Sequence, residues 1–115
     1  MATYESLTER QGRFLSWGKK ISLAADSTSN IVEIPPLVAG QRVTATVIGG
    51  TTGGKAQVTT SPKANIDAGT ETWQDWPRGT VTGTFSDVLI GPVTGLRFVA
   101  STGATAAISC EVVIG

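Results

Sequence analysis

The stretch RVTATVIGGTTGGKAQVTTS, residues 42–61, decides the predicted fold. In residues 42–48, valine and alanine alternate with threonine, which is the period of two expected of a strand with one buried face. Residues 55–61 repeat this alternation, with Ala56 and Val58 on the apolar side. The glycine-rich segment 49–54 lies between them and predicts a hairpin loop, because glycine adopts the positive φ angles that tight turns need. The stretch therefore predicts two antiparallel strands.

Short alternating or apolar segments also occur along most of the remaining chain, and glycine, proline, asparagine and serine separate them about every eight to twelve residues. They are residues 21–23, 31–34, 71–76, 80–85, 88–90, 96–100 and 107–114. Residues 62–70 predict a long loop. No helical pattern stands between the segments, which argues against a parallel α/β sheet. The sequence predicts an all-β fold, an antiparallel β-sandwich or jelly roll of about eight strands.

Length and composition agree with a single small β domain. The chain has 115 residues, 17 of them threonine and 14 glycine, and only 16% are charged, against roughly 25% in typical domains. Threonine and valine suit a pleated surface, and glycine suits turns. We predict an N-terminal arm at residues 1–17 and one β-sandwich domain at residues 18–115.

The first 17 residues differ in pattern from the rest and are predicted to order on contact with the body or with a neighbouring molecule. Residues 1–20 carry a net charge of +2 and residues 21–115 a net charge of −2, so the arm suits an acidic neighbour; a solvated leader explains the charge equally well. Within the arm, the candidate interface residues are Tyr4, Leu7, Arg10, Arg13, Phe14 and Trp17.

Several classes of function are disfavoured by the residue inventory. The formal net charge of zero argues against nucleic-acid binding, which needs a basic face. The chain has no histidine and one cysteine, Cys110, which predicts no metal site, no cofactor and no catalytic base of the commonest kind. No apolar run approaches the roughly 20 residues that span a membrane, and the N-terminus lacks the apolar core of a secretory signal. We expect a cytoplasmic product without enzymatic activity.

Two tryptophans and three carboxylates form the most suggestive cluster. Asp67, Glu71 and Asp75 are spaced four residues apart near Trp73 and Trp76. A carboxylate pair beside tryptophan is conceivable as a glycosidase or sugar-binding site, but acidic loop residues flanking a strand are the favoured interpretation. We expect one tryptophan to anchor the core and the other to lie at an edge or interface, where tryptophan is enriched.

The glycine loop does not form a nucleotide-binding motif. GGTTGGK is followed by Ala56 where a phosphate-binding loop has serine or threonine, and no helix is expected after it. Cys110 is expected on the inward face of the last strand, as a small hydrophobic residue without a base to activate it.

Residues 55–113 resemble small virion structural proteins of tailed bacteriophages. The resemblance lies in three parts: V-T-T-S at 58–61 followed by G-T-x-x-W-x-x-W-x-x-G at 69–79, then D-x-L-x-G-P-V-T-x-L-R at 87–97, and a closing strand rich in threonine, alanine and glycine. It covers about half of the chain. These are fold and packing motifs, and they bring no catalytic residue.

The resemblance implies a capsid decoration (cement) protein that binds the outer shell and stabilises it. It implies the major capsid protein and further copies of this chain, as a homotrimer, as partners, with no nucleic acid and no membrane. The expected location is the capsid surface of a virion assembled in the host cytoplasm. The alternatives are a tail or head-fibre accessory domain and a carbohydrate-binding host-attachment module that uses Trp73 or Trp76.

Overall fold

The structure is a computed structural model that describes residues 4, 8–9, 17–24, 27–34, 42–89, 93–100 and 108–114, with the backbone alone at 8–9, 17, 49–52, 77–78, 81 and 89. This part of the chain contains seven strands and one helix. They are β1 (Thr8–Glu9), β2 (Trp17–Leu23), β3 (Val32–Glu33), β4 (Val43–Thr59), α1 (Lys63–Ala68), β5 (Gln74–Leu89), β6 (Gly95–Ala100) and β7 (Ile108–Ile114).

The long strands β4 and β5 pair along their whole length and run through two antiparallel sheets. The first half of β4 also pairs with β7, which pairs with β2; the two-residue β1 extends this first sheet beyond β2. The second half of β4 also pairs with β6, which pairs with β3, and these strands form the second sheet. The first sheet thus contains β2, β4, β5 and β7 in addition to β1, and the second sheet contains β3, β4, β5 and β6. The predicted all-β class with antiparallel pairing is confirmed.

The predicted hairpin at residues 42–61 is wrong in its turn. The GGTTGG segment lies inside the continuous strand β4, and the hydrogen-bonded partner of both halves is β5. The pairing shifts register between Ile48 and Gly50, between Gly50 and Gly54, and between Gly54 and Ala56. Glycine makes such irregularities possible, and Gly53 has a φ of 90°. The glycines therefore carry β4 from one sheet to the next without reversing it.

Two further sequence predictions are corrected. The predicted loop at residues 62–70 contains the helix α1, whose one buried residue is Ile66 and which ends at Gly69 in the left-handed conformation. The segments predicted at 71–76, 80–85 and 88–90 belong largely to the single strand β5. Pro77 lies within β5, which is possible because β5 has a strand on only one side among the described residues, and proline is tolerated in edge strands.

The inner faces of both sheets form one hydrophobic core. The predicted inward positions on β4, β6 and β7 are buried, as the alternation of residues indicated. Phe98 is the largest fully buried side chain, and Trp76 and Val93 pack against the core from its margin. The buried residues of the cluster are Ile21, Leu23, Val32, Ile34, Val43, Ala45, Val47, Ala56, Val58, Leu96, Phe98, Ala100, Ile108, Cys110, Val112 and Ile114.

Candidate interaction surface

The outer face of the second sheet carries a row of hydrogen-bonded side chains across three strands. Ala56 and Val58 of β4 point into the core, so Gln57 between them points outward. Its register partners are Asp75 on β5 and Arg97 on β6. The Gln57 side chain donates to Asp75 Oδ1 at 2.9 Å and accepts from Arg97 Nε at 2.8 Å. We call Asp75, Gln57 and Arg97 the polar row.

Lys55 neutralises the acidic end of the polar row. Its Nζ atom lies 3.0 Å from Asp75 Oδ1. The hydrogen bond from Gln57 and the proximity of Lys55 hold the pKa of Asp75 below its ordinary value. The carboxylate is therefore ionised, and its charge is balanced within the sheet.

Arg97 ends the row against a tryptophan ring. Its guanidinium carbon lies 4.3 Å from the centroid of the Trp73 ring, which is cation–π geometry. Partial burial lowers the pKa of Arg97, while the charge of Glu71 opposes this effect. The edge of the Trp73 ring also lies 3.4 Å from the position that a Cβ atom would take at Gly95, so the ring packs closely over the β6 backbone. Both neighbours fix the orientation of Trp73.

The stretches that carry the phage resemblance meet beside this surface. Thr94, from the second stretch, donates its backbone N–H to the carbonyl of Thr59 at 2.9 Å, and its hydroxyl donates to the Ser61 carbonyl. Gly95 lies against both Thr59 and Trp73. These contacts form a packed corner of the second sheet.

A second polar cluster, the Tyr4 cluster, consists of Tyr4, Glu33, Lys63 and Asp67. Tyr4 forms an isolated parallel bridge with Ile31, and its hydroxyl donates to Asp67. Lys63 Nζ lies 4.5 Å from the Tyr4 ring centroid, 2.9 Å from Glu33 Oε2 and 3.4 Å from Asp67 Oδ1.

The contacts of the Tyr4 cluster explain three pKa shifts. Accepting a hydrogen bond from Tyr4 lowers the pKa of Asp67, and donating it raises the pKa of Tyr4. The pKa of Lys63 is raised, chiefly by its hydrogen bond to Glu33. The cluster attaches the chain at Tyr4 to α1 and β3.

The structure tests the location of only some predicted interface residues. Trp76 is the tryptophan that packs against the core, and Trp73 is half-buried under Arg97 on the outer face. Trp17 is the first residue of β2, where its backbone pairs with Ile114. Tyr4 lies in its own cluster. The remaining predicted interface residues lie outside the described ranges: Leu7, Arg10, Arg13 and Phe14.

The three carboxylates singled out in the sequence have separate surroundings. Asp67 belongs to the Tyr4 cluster, Asp75 to the polar row, and Glu71 lies near Arg97. Among the described residues, no group of three histidine, cysteine or acidic side chains is placed to hold a metal ion. Within these same ranges no helix has the length and apolarity to cross a membrane.

Sequence reasoning missed Gln57 and Lys63 as members of the two clusters. For Gln57, the alternation of residues in β4 indicates only that its side chain points outward. The pairing of β4 with both β5 and β6 is what brings it between Asp75 and Arg97. Arg97 has a glutamine and a tryptophan as its neighbours.

No family model matches the chain, and a search of curated proteins finds no match either.

Proposed function

We propose that this protein is a non-enzymatic structural component of a phage virion, and specifically a capsid decoration protein that binds the outer shell and stabilises it. The observation that carries the proposal is that, among the described residues, β5 pairs with another strand on one side only. This 16-residue strand pairs with β4 along one side, and no other described strand pairs with it. At about 3.3 Å per residue, such an edge is long for so small a domain.

A long strand edge is a template for association with another chain. The β5 side chains beside it are small and polar: Thr82, Thr84 and Ser86 are exposed. Their neighbour across the pair, Ile48, is the one large hydrophobic residue of the described part that is exposed, at 41%. Pro77 and the positive φ of Gly83 interrupt the edge, which disfavours indiscriminate pairing. These features suit docking to a defined protein surface.

The resemblance to small phage virion proteins supplies the more specific part of the proposal, with the major capsid protein and further copies of this chain as partners. Repeated weak contacts on a regular lattice would add up through avidity. The N-terminal arm would reach the capsid or a neighbouring copy.

A carbohydrate-binding function is less well supported by the geometry. Sugars stack on an open tryptophan face, whereas Arg97 covers one face of Trp73 and Trp76 packs against the core. A tail or head-fibre accessory role uses the same protein-binding surface and differs in location.

The test is the location and copy number of the protein in purified particles, measured by cryo-electron microscopy and quantitative gel analysis. Hundreds of copies on the shell, together with increased thermal resistance of capsids that bind the purified protein, support decoration. A dozen or fewer copies at the tail or a vertex contradict decoration and favour the accessory role. Deletion of residues 1–16, which keeps β2 whole, should abolish capsid binding and leave the body folded; unchanged binding would remove the role of the arm.

A further inference from the structure

We propose that Arg97, held against Trp73 and oriented by Gln57, is a docking point for a carboxylate side chain of a partner protein. The inference rests on the proposed function in one respect, namely that the partner is a protein. It adds the chemistry that the partner must present.

The first argument is the charge balance of the outer face of the second sheet. Lys55 and Asp75 neutralise each other at 3.0 Å. Arg97 hydrogen-bonds to the neutral side chain of Gln57. In the described ranges, no carboxylate oxygen lies within 4.0 Å of a nitrogen of Arg97, since the ion pairs found there involve Lys55 and Lys63. Within the part of the chain that the structure describes, Arg97 is therefore a positive charge of this face without an ion-pair partner.

The second argument is the fixed orientation of the guanidinium group. A guanidinium group carries five N–H donors in a rigid plane. Gln57 accepts from Nε, and the guanidinium carbon lies over the Trp73 ring at 4.3 Å from its centroid. Donors at the terminal nitrogens remain for a carboxylate, which accepts two parallel hydrogen bonds from arginine. Because the side chain is already oriented, binding loses less conformational entropy.

The third argument is the partial burial of the arginine. Burial lowers the pKa of Arg97, which means that water solvates the guanidinium less well than at an open surface. A charge pair formed there is screened less than an exposed pair. Arginine and tryptophan are also the residue types most enriched among those that dominate binding energy at protein interfaces.

The nearest competitor is an acidic side chain of the chain itself. The charge of Glu71 acts on Arg97, but its carboxylate forms no ion pair with it. A partner carboxylate that bonds directly to the guanidinium would therefore gain an interaction that Glu71 does not already provide.

The experiment is an NMR titration of the full-length protein that follows the Arg97 Nε–H and Trp73 indole N–H resonances. The probe is a capped hexaglutamate peptide, with sodium phosphate and sodium chloride as comparisons at equal ionic strength. We expect saturable shifts of both resonances with the peptide, and only small non-saturating shifts with phosphate or chloride. Absence of shifts with the peptide, or equal saturation by phosphate, would overturn the proposal.

Matched variants separate a specific contact from general electrostatic attraction. Arg97→Gln should weaken peptide binding by about tenfold or more, which is the loss expected for one charge-assisted contact. Arg97→Lys keeps the charge but loses the planar fork, and should weaken binding severalfold. Arg42→Gln removes the same charge at an exposed position that precedes β4, and should change affinity by less than about twofold. Equal weakening by Arg97→Gln and Arg42→Gln would contradict the proposal.

The wild-type titration decides the question even if an Arg97 variant fails to fold. Capsid binding keeps this inference distinct from the proposed function. If wild-type protein and Arg97→Gln bind capsids equally well, the carboxylate docking point is wrong and the decoration function stands. If wild-type protein binds no capsid while the peptide titration succeeds, the decoration function is wrong and Arg97 remains a carboxylate-binding site.

Discussion

The Cδ1 atom of Ile108 lies 2.5 Å from the position that a Cβ atom would take at Gly54. Val47 Cγ1 lies 3.2 Å from the same position, and the carbonyl oxygen of Val99 lies 3.4 Å from it. Gly54 is where β4 leaves the first sheet, and it pairs with both Val81 and Ala100. The bend of β4 thus brings its backbone so close to core side chains that a Cβ atom at residue 54 would require the end of the Ile108 side chain to shift.

Gly54→Ala should destabilise the fold by about 1–3 kcal/mol, which is the usual cost of forcing an extra carbon into a packed core. Chemical denaturation followed by circular dichroism measures the free energy of unfolding. Gly79→Ala is the control, because the nearest atom to a Cβ there is Asp75 Oδ2 at 3.7 Å and the change should be nearly neutral. Equal stability of Gly54→Ala and wild type would show that the core relaxes around the methyl group.

The same contact predicts a favourable coupling between two substitutions. Ile108→Val removes Cδ1 and alone should cost about 0.5–1.5 kcal/mol. In the double variant, the added methyl of Gly54→Ala occupies the vacated space, so the total loss should be smaller than the sum of the two single losses. Strict additivity would mean that the strain at residue 54 comes from Val47 or from the Val99 carbonyl.

Gly69 provides a prediction about the end of α1. Its φ is 77°, and its N–H bonds to carbonyls of the last helical turn. No described atom lies within 4 Å of a Cβ at this position, so among the described residues it is the backbone conformation that limits substitution. Gly69→Ala should lower the free energy of unfolding by about 1 kcal/mol, and Gly69→Asn should lower it less, because asparagine tolerates the left-handed region. Identical losses for both variants would contradict this explanation.

The strand positions could be predicted because one-sided burial leaves a period of two in the sequence. Thus Val43, Ala45 and Val47 are buried as predicted. Glycine in a strand is ambiguous, since it suits both a turn and a bulge, and the choice at 49–54 depends on β5, which lies far away in sequence. The six-residue α1 contains one buried residue, Ile66, and so leaves no helical period to detect.

The candidate surface was predicted only in part, for a similar reason. Two neighbouring tryptophans in a small domain suggested a core residue and a peripheral one. In the structure both are half-buried: Trp76 packs against the margin of the core, and Trp73 lies against Arg97. The polar row depends on register across three strands. Gln57 is 18 residues from Asp75 and 40 from Arg97, and no local pattern connects them.

Cys110 should be unreactive in the folded protein. It is buried, and burial raises the pKa of its thiol to about 12. At pH 8 the thiolate fraction is then about one in ten thousand. A chromogenic disulfide reagent should label native protein at least about a thousandfold more slowly than denatured protein, with Cys110→Ala as the blank. Rapid labelling of native protein would show that the first residues of β7, which include Cys110, open locally.

Tyr4 is the only tyrosine in the chain, so phenolate absorbance at 295 nm reports the Tyr4 cluster alone. The hydrogen bond that Tyr4 donates to Asp67 raises the pKa of Tyr4 above 10.0. Asp67→Asn removes the carboxylate, so the pH at the midpoint of the Tyr4 titration should fall toward the ordinary tyrosine value of 10.0. Lys63→Met removes the nearby cation, which favours the phenolate, and the midpoint should rise. Shifts in opposite directions identify the cluster; identical midpoints in all three proteins would mean that Tyr4 is free in solution.

The same shifts set the pH dependence of stability. A raised folded pKa means that the contribution of Tyr4 is complete below pH 10 and is lost as the pH rises through the folded value. For Asp67 the folded pKa is lowered, so its contribution is complete above the unfolded value of 3.8 and is lost as the pH falls through the folded value. Asp67 is exposed and Tyr4 is only half-buried, so each effect is small. Thermal unfolding of wild type and Asp67→Asn should therefore differ at neutral pH and converge in acid. A difference that persists below the folded pKa of Asp67 would assign the effect to packing instead of charge.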